Sequence, residues 1–143
     1  MTPQERAERS AQAMWSNDRA SPWLGASLDA VGPGTAMMSF TVQDHHLNGH
    51  DICHGGYIFT LADSTFAFAC NSYNRNVVAQ HNSITYLSPG KGGERLTAVA
   101  TEVSRAGRSG IYDVVVTGGD GRKVALFRGH SRQIDGQHFE EDT

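Results

Sequence analysis

The chain has 143 residues, enough for one core of ordinary size and too few for two. Hydrophobic residues make up 38% and charged residues 19% of it, which excludes a disordered or supercharged segment. With 12 Lys and Arg against 15 Asp and Glu, a formal charge of -3, no global positive field exists to hold nucleic acid or an anionic membrane, so an anionic ligand must be gripped locally.

The chain opens on Thr2-Pro3-Gln4-Glu5, a cap residue followed by Pro at the first helical position and Glu three residues after the cap, then Ala7, Ala11, Met14 and Trp15 at helical spacing. This predicts an amphipathic helix over about 3–16, ended by turn residues around Ser21-Pro22 and Gly25. After the stretch Leu28 to Val31, a strand is expected from Thr35 to Val42, with Met38, Phe40 and Val42 on one face. The run His45 to Gly56 is polar, glycine-rich and without period, and reads as a loop. Tyr57 to Asn71 then leaves little polar surface, and a helix apolar on nearly all sides should be buried on nearly all sides. It is shorter than the ~20 apolar residues a bilayer needs and carries Asp63 at its middle, so it is a core helix.

Four strands are expected after it, Val77–Leu87, Arg95–Arg105, Gly110–Thr117 and Lys123–Ile134, joined by glycine-rich connections of hairpin length. Residues 135–143 read as a polar, mobile tail. The order predicts a single α+β domain with its core over about 27–134: an antiparallel sheet of five to six strands curled around one central helix. Two cysteines, Cys53 and Cys70, are too few for a disulfide framework, and no charged-then-apolar leader stands ahead of them, so a reducing cytoplasm is the expected compartment.

Two features carry chemistry. Asp63 has Phe59, Thr60, Phe66 and Ala67 as its helical neighbours, surroundings in which an ionised carboxylate is costly unless a partner or a solvent channel meets it. Gly55-Gly56 stands at the start of the same helix, where unpaired backbone N–H groups and a partial positive charge form an oxyanion hole, although a tight entry into a helix also calls for small residues. Gly55 and Asp63 are eight residues apart, which at ~1.5 Å per residue is ~12 Å along the axis, too far for one acyl carbon to meet both. If Asp63 acts on a carbonyl held at a glycine-tipped helix, that tip belongs to another subunit, with the two helices antiparallel about a twofold axis.

The run from Leu47 through Asn48, His54, Gly55 and Gly56 to Asp63 resembles the signature of the hot-dog thioesterases of the PaaI type. The stretches Ser83 to Gly90, Arg105 to Arg108 and Val124 to Gly129 are similar to the same group, so that the likeness runs from about residue 30 to residue 134. The resemblance implies the hot-dog fold and hydrolysis of acyl-coenzyme A thioesters without metal or bound cofactor, coenzyme A being part of the substrate. It implies Asp63 as the catalytic carboxylate, acting as general base on a water or attacking directly to give a mixed anhydride that water opens, the Gly55 N–H as the group that polarises the carbonyl, and His54 and Asn48 as residues that shape the site, with Asp63 from one subunit and the Asn48 to Gly55 segment from its partner. A homodimer, and a dimer of dimers, follows from it. The implied coenzyme A contacts lie in Tyr86 to Lys91 and in Arg108, Ser109 and Gly110, with Lys91 and Arg108 as candidates for the phosphates. Where some relatives carry a hydroxyl residue, this chain has Ala79. The PaaI likeness points to aryl-acetyl and ring-hydroxylated phenylacetyl thioesters, for which Tyr57, Phe59 and Phe66 could line a pocket or equally serve as core.

Other chemistries are weaker fits. His45, His46, His50, Cys53 and His54 include the usual zinc ligands, but glycines on both sides deny them a regular helix. Cys53 is adjacent to His54, whereas a catalytic Cys and His are brought together by the fold. Gly-x-Ser-x-Gly and the phosphate loop are absent from the sequence. A non-catalytic acyl-coenzyme A sensor and a hydratase share the same fold; the sensor has no need of Asp63, and the hydratase needs an Asp/His pair not found here.

Overall fold

The computed structural model describes residues 1–141. Helix α1 runs over Pro3–Asn17, capped by the Thr2 side chain, which accepts from the Glu5 N–H. A second helix, α2, Ala20–Leu24, replaces the expected turn. Asp18 starts it by accepting from the Ser21 N–H at 3.0 Å and hydroxyl at 2.6 Å, Pro22 sits within the first turn, where it breaks no hydrogen bond, and Gly25 ends it at φ 85°. Strands β1 (Ser27–Gly32) and β2 (Thr35–Thr41) form a hairpin; α3 is Gly55–Cys70; then follow β3 (Val77–Tyr86), β4 (Arg95–Ala106), β5 (Ser109–Thr117) and β6 (Lys123–Gln133).

The six strands make one antiparallel sheet in the order β1-β2-β4-β5-β6-β3, and α3 packs against its concave side. Alternation explains the layering: Leu96, Ala98 and Ala100 on β4 and Val114 and Val116 on β5 are buried, and the residues between them face outward. Small residues on β4 let the helix approach closely. Opposite Phe66, which is 1% exposed, β6 has Gly129, and a Cβ there would stand 2.7 Å from the ring. Gly129→Ala therefore overpacks the interface and is expected to cost about 1 to 3 kcal/mol, a fall in Tm of about 3 to 12 °C. An unchanged thermal transition would contradict this packing.

The expectation that α3 is buried all round is corrected. Ile58, Leu61, Ala62, Thr65, Phe66 and Phe68 to Cys70 are buried, but Gly56 is exposed and Phe59, Thr60, Asp63, Ser64 and Ala67 are only half-buried. These six recur at three- and four-residue intervals, so they form one stripe that a single chain leaves uncovered. The mobile tail is also corrected for the described residues 135–141. Asn74 bonds to the backbone of His138 and Phe139, Arg6 pairs with Glu141 at 2.6 Å, and Arg9 lies 4.2 Å over the Phe139 ring.

Candidate active site

Helix α3 starts at the glycine pair because His54 caps it: its Nδ1 accepts the Gly56 N–H at 2.9 Å. The N–H of His54 is held by the His46 carbonyl and that of Cys53 by the Gly90 carbonyl, each at 2.8 Å. Among the described residues the Gly55 N–H has no acceptor, so this first amide of α3 is the one open to a ligand oxygen. Tyr86 packs against this position. Its hydroxyl donates to the Gly55 carbonyl at 2.7 Å, and a Cβ on Gly55 would stand 3.0 Å from Cζ and Oη of the ring.

Asn48 closes the preceding loop. Its Oδ1 accepts from the His50 N–H at 2.9 Å and its backbone N–H donates to Ile52 at 2.8 Å, while its amide nitrogen has no partner among the described residues. Asp51 turns the loop at φ 59°. This order belongs to the loop itself and is set before any ligand arrives.

Asp63 lies in the half-buried stripe, and Asn82 of β3 donates to its Oδ1 at 3.0 Å. Burial pushes the Asp63 carboxyl above the ordinary carboxylate range, and the Asn82 bond pulls it back in part. The partner that its apolar surroundings call for is thus a side-chain amide. Asn82 went unseen although a signal exists: it shares the strand face of Ile84 and Tyr86, which is the face turned to α3.

Contacts along β3 show that strand and helix run antiparallel. Tyr86 meets Gly55, Asn82 meets Asp63, and Asn71 Nδ2 donates to the Val77 carbonyl at 3.1 Å. Four strand residues span ~13 Å and eight helical residues ~12 Å, so the contacts keep step. Gly55 and Asp63 of one chain thus stand ~12 Å apart along the helix, each beside β3.

The implied coenzyme A contacts fall at opposite ends of the sheet. Tyr86 and exposed Lys91, which bridges Ile52, are at the Gly55 end. Exposed Arg108 in the β4–β5 turn and exposed Ser109 at the start of β5 are about 35 Å of strand away, and Gly110 is buried against Ser131 and Tyr112. Arg122, which sequence reasoning missed, pairs with Glu94 at 2.6 Å and Asp120 at 2.8 Å and braces the loop that carries Lys91.

The histidine cluster does not converge on one point, although the His45 and His46 rings lie 4.0 Å apart. His46 is buried on Phe40 at 4.9 Å between ring centroids and accepts the Gln43 N–H, and among the described residues no three His, Cys, Asp or Glu side chains stand together as metal ligands would. Burial pushes the Cys53 thiol up to about 11 and that of Cys70 up to about 12, so neither is a nucleophile near neutral pH. Phe66 is core. Phe59 packs edge-on against Phe127 at 5.5 Å, and Tyr57 lies 6.1 Å from exposed Trp23.

A family model for the thioesterase superfamily matches residues 50–125, the segment that holds His54, Gly55 and Asp63. The chain belongs to the thioesterase superfamily. As a member of it, the protein is 40% identical over 131 residues to the acyl-coenzyme A thioesterase PaaI of Escherichia coli, covering 92% of this chain and 94% of that one. The structure of the E. coli PaaI protein superposes with a TM-score of 0.93 at 39% identity, over 95% of this chain and 99% of the other, and the hot-dog fold is common to both. A hypothetical thioesterase of Streptococcus pneumoniae TIGR4, crystallised with coenzyme A, matches with a TM-score of 0.74 at 28% identity, over 78% of this chain and 87% of that one. Chemically, an open helix-terminal amide can hold a developing oxyanion and a half-buried carboxylate can take up a proton. Among the described residues, no helix is long and apolar enough to cross a membrane.

Proposed function

We propose that this protein hydrolyses acyl-coenzyme A thioesters in the cytoplasm, with aryl-acetyl and ring-hydroxylated phenylacetyl thioesters as its preferred class. The observation that carries the reading is the pair of groups on α3: a Gly55 N–H with no acceptor among the described residues at its start, and a half-buried Asp63 at its middle. Strand β3 beside it is an edge strand of ten residues, paired among the described residues to β6 alone. Such an edge favours pairing with a second copy. Antiparallel pairing of two β3 strands about a twofold axis sets the α3 helices antiparallel and carries Asp63 of one protomer toward the Gly55 amide of the other. It also carries the Arg108 end of one protomer toward the Lys91 end of its partner, so that both basic groups serve one coenzyme A. The active unit is a homodimer, doubled to a tetramer in the assembled protein.

The thioester carbonyl then lies at the Gly55 N–H, where the helix end stabilises the negative charge that develops on oxygen. Asn48, in the loop that leads to the helix, shapes the approach to it, and His54 keeps the helix start in place. Asp63, in its ionised form, removes a proton from water, and burial raises its affinity for that proton above that of an ordinary carboxylate. The water oxygen adds to the carbonyl carbon, the carbon–sulfur bond breaks, and coenzyme A leaves as the thiol. Tyr86, Lys91, Arg108, Ser109 and Gly110 flank its path; no metal or bound cofactor enters the reaction.

Release of free thiol from a panel of phenylacetyl-, hydroxyphenylacetyl-, benzoyl-, acetyl- and long-chain acyl-coenzyme A tests the reading. The expected result is turnover of all the short thioesters, with kcat/KM highest for the aryl-acetyl members. Tight binding without thiol release would replace it by the sensor function.

A further inference from the structure

On β3, Asn82, Ile84 and Tyr86 face α3, paired across to Gly129, Phe127 and Ala125 of β6. His81 turns the other way, its ring 5.5 Å from that of His130. Asn82 is thus the polar side chain that β3 brings to Asp63, and its Nδ2 donates to Asp63 Oδ1 at 3.0 Å. Among the described residues, Asp63 Oδ2 has no hydrogen bond, and Asn82 Oδ1 is buried with no donor to meet it. An amide with one end buried and unpaired stabilises a fold less than an apolar residue of the same shape. Packing does not account for Asn82. Ionised Asp63 does, because only the donor end of the amide can face a carboxylate, and a hydrogen bond to a charged acceptor is the strong kind.

We propose that Asn82 is a positioning residue for Asp63: it holds Oδ1, keeps the carboxylate in one rotamer and ionised, and so leaves Oδ2 as the oxygen that takes the proton of the attacking water. In that step the water O–H bond breaks, its proton passes to Oδ2, and its oxygen bonds to the carbonyl carbon. When the carbon–sulfur bond breaks, the same proton leaves Oδ2 for the sulfur. This chemistry rests on the thioesterase reading above, whereas the contact itself does not.

The titratable neighbours on the packed elements do not duplicate the contact. Cys70 of α3, Tyr86 of β3 and Tyr112 of β5 are all pushed up by burial and stay neutral. Asp18, ahead of α2, is engaged by Ser21, whose hydroxyl lies 3.1 Å from that of Ser64. The faces of β2 and β4 toward the helix are buried and apolar.

The test uses Asn82→Leu and Asn82→Ala, both without a donor, so that either one that folds suffices, and Asn82→Asp as a variant of the same shape. Leu and Ala are expected to lower kcat by about tenfold to hundredfold, a part of the ~10²–10⁴ a general base supplies. KM should change less than about twofold, and the acid limb of the pH profile should move to higher pH. Asn82→Asp should shift that limb furthest, since it sets a like charge beside Asp63. Carboxyl-carbon NMR of Asp63 reads the same shift without turnover: its titration should move up in the Leu and Ala variants. An unmoved Asp63 titration in a folded variant overturns the proposal. An inactive wild type with a shifted titration overturns the thioesterase reading and leaves the contact standing.

Discussion

Asp63→Asn is expected to lower thioester turnover by roughly 10²- to 10⁴-fold while ligand binding and fold persist. The substitution preserves shape, and Asn82 can still donate to the new side-chain oxygen in the place where it now meets Asp63 Oδ1. What disappears is the proton acceptor. Stability should not fall, because a half-buried charge is exchanged for a neutral group of equal size. The pH dependence gives a second readout with a definite sign. Burial raises the Asp63 pKa, activity requires the ionised form, and wild-type kcat/KM therefore rises with pH through a limb set above the ordinary carboxylate range. The residual activity of Asp63→Asn should lack that limb. Thiol release across a pH series, with thermal unfolding alongside, measures both, and near-normal turnover would sink the assignment.

Two inactive variants are expected to restore activity when mixed. Gly55 occupies the first position of α3, after His54 at φ -60° and ψ 133°, a geometry that accepts proline next, so Gly55→Pro removes the candidate oxyanion donor without breaking the helix. Tyr86, whose ring tip would meet the new Cβ, is 48% exposed and has room to swing away. Losing one such donor is expected to reduce kcat by about 10²- to 10³-fold. In a heterodimer of Gly55→Pro and Asp63→Asn, one site carries both lesions and the other carries neither. Random exchange makes half the dimers mixed, and half of their sites intact, so activity should recover to about a quarter of the wild-type level. If both groups served one site within one chain, mixing would restore nothing.

Much of the fold was legible from local signals. The strand boundaries follow alternation and glycine-rich turns, and the β4 and β5 limits expected from sequence differ from those observed by a single residue. Helix α2 was missed because Ser21-Pro22 reads as a turn until Asp18 is seen to cap it. The tail was misread because its anchors, Arg6 and Asn74, are 135 and 67 residues from Glu141, a separation that local pattern does not register. At the site, Asp63 declares itself as a charge in an apolar helix. Asn82 does not, since a polar residue on a strand is ordinary until its facing partner is known.

Periodicity and composition were enough to determine the α+β class, the central helix, the carboxylate at the middle of that helix and the glycine pair at its tip, because each depends on neighbours a few residues away along the chain. Tertiary structure alone decided which glycine amide is open, which side chain steadies Asp63, and that Lys91 and Arg108 stand at opposite ends of the sheet. Those are contacts between segments far apart in sequence, brought together by sheet order and by the close packing of α3, and no local pattern encodes the identity of the residue across the gap.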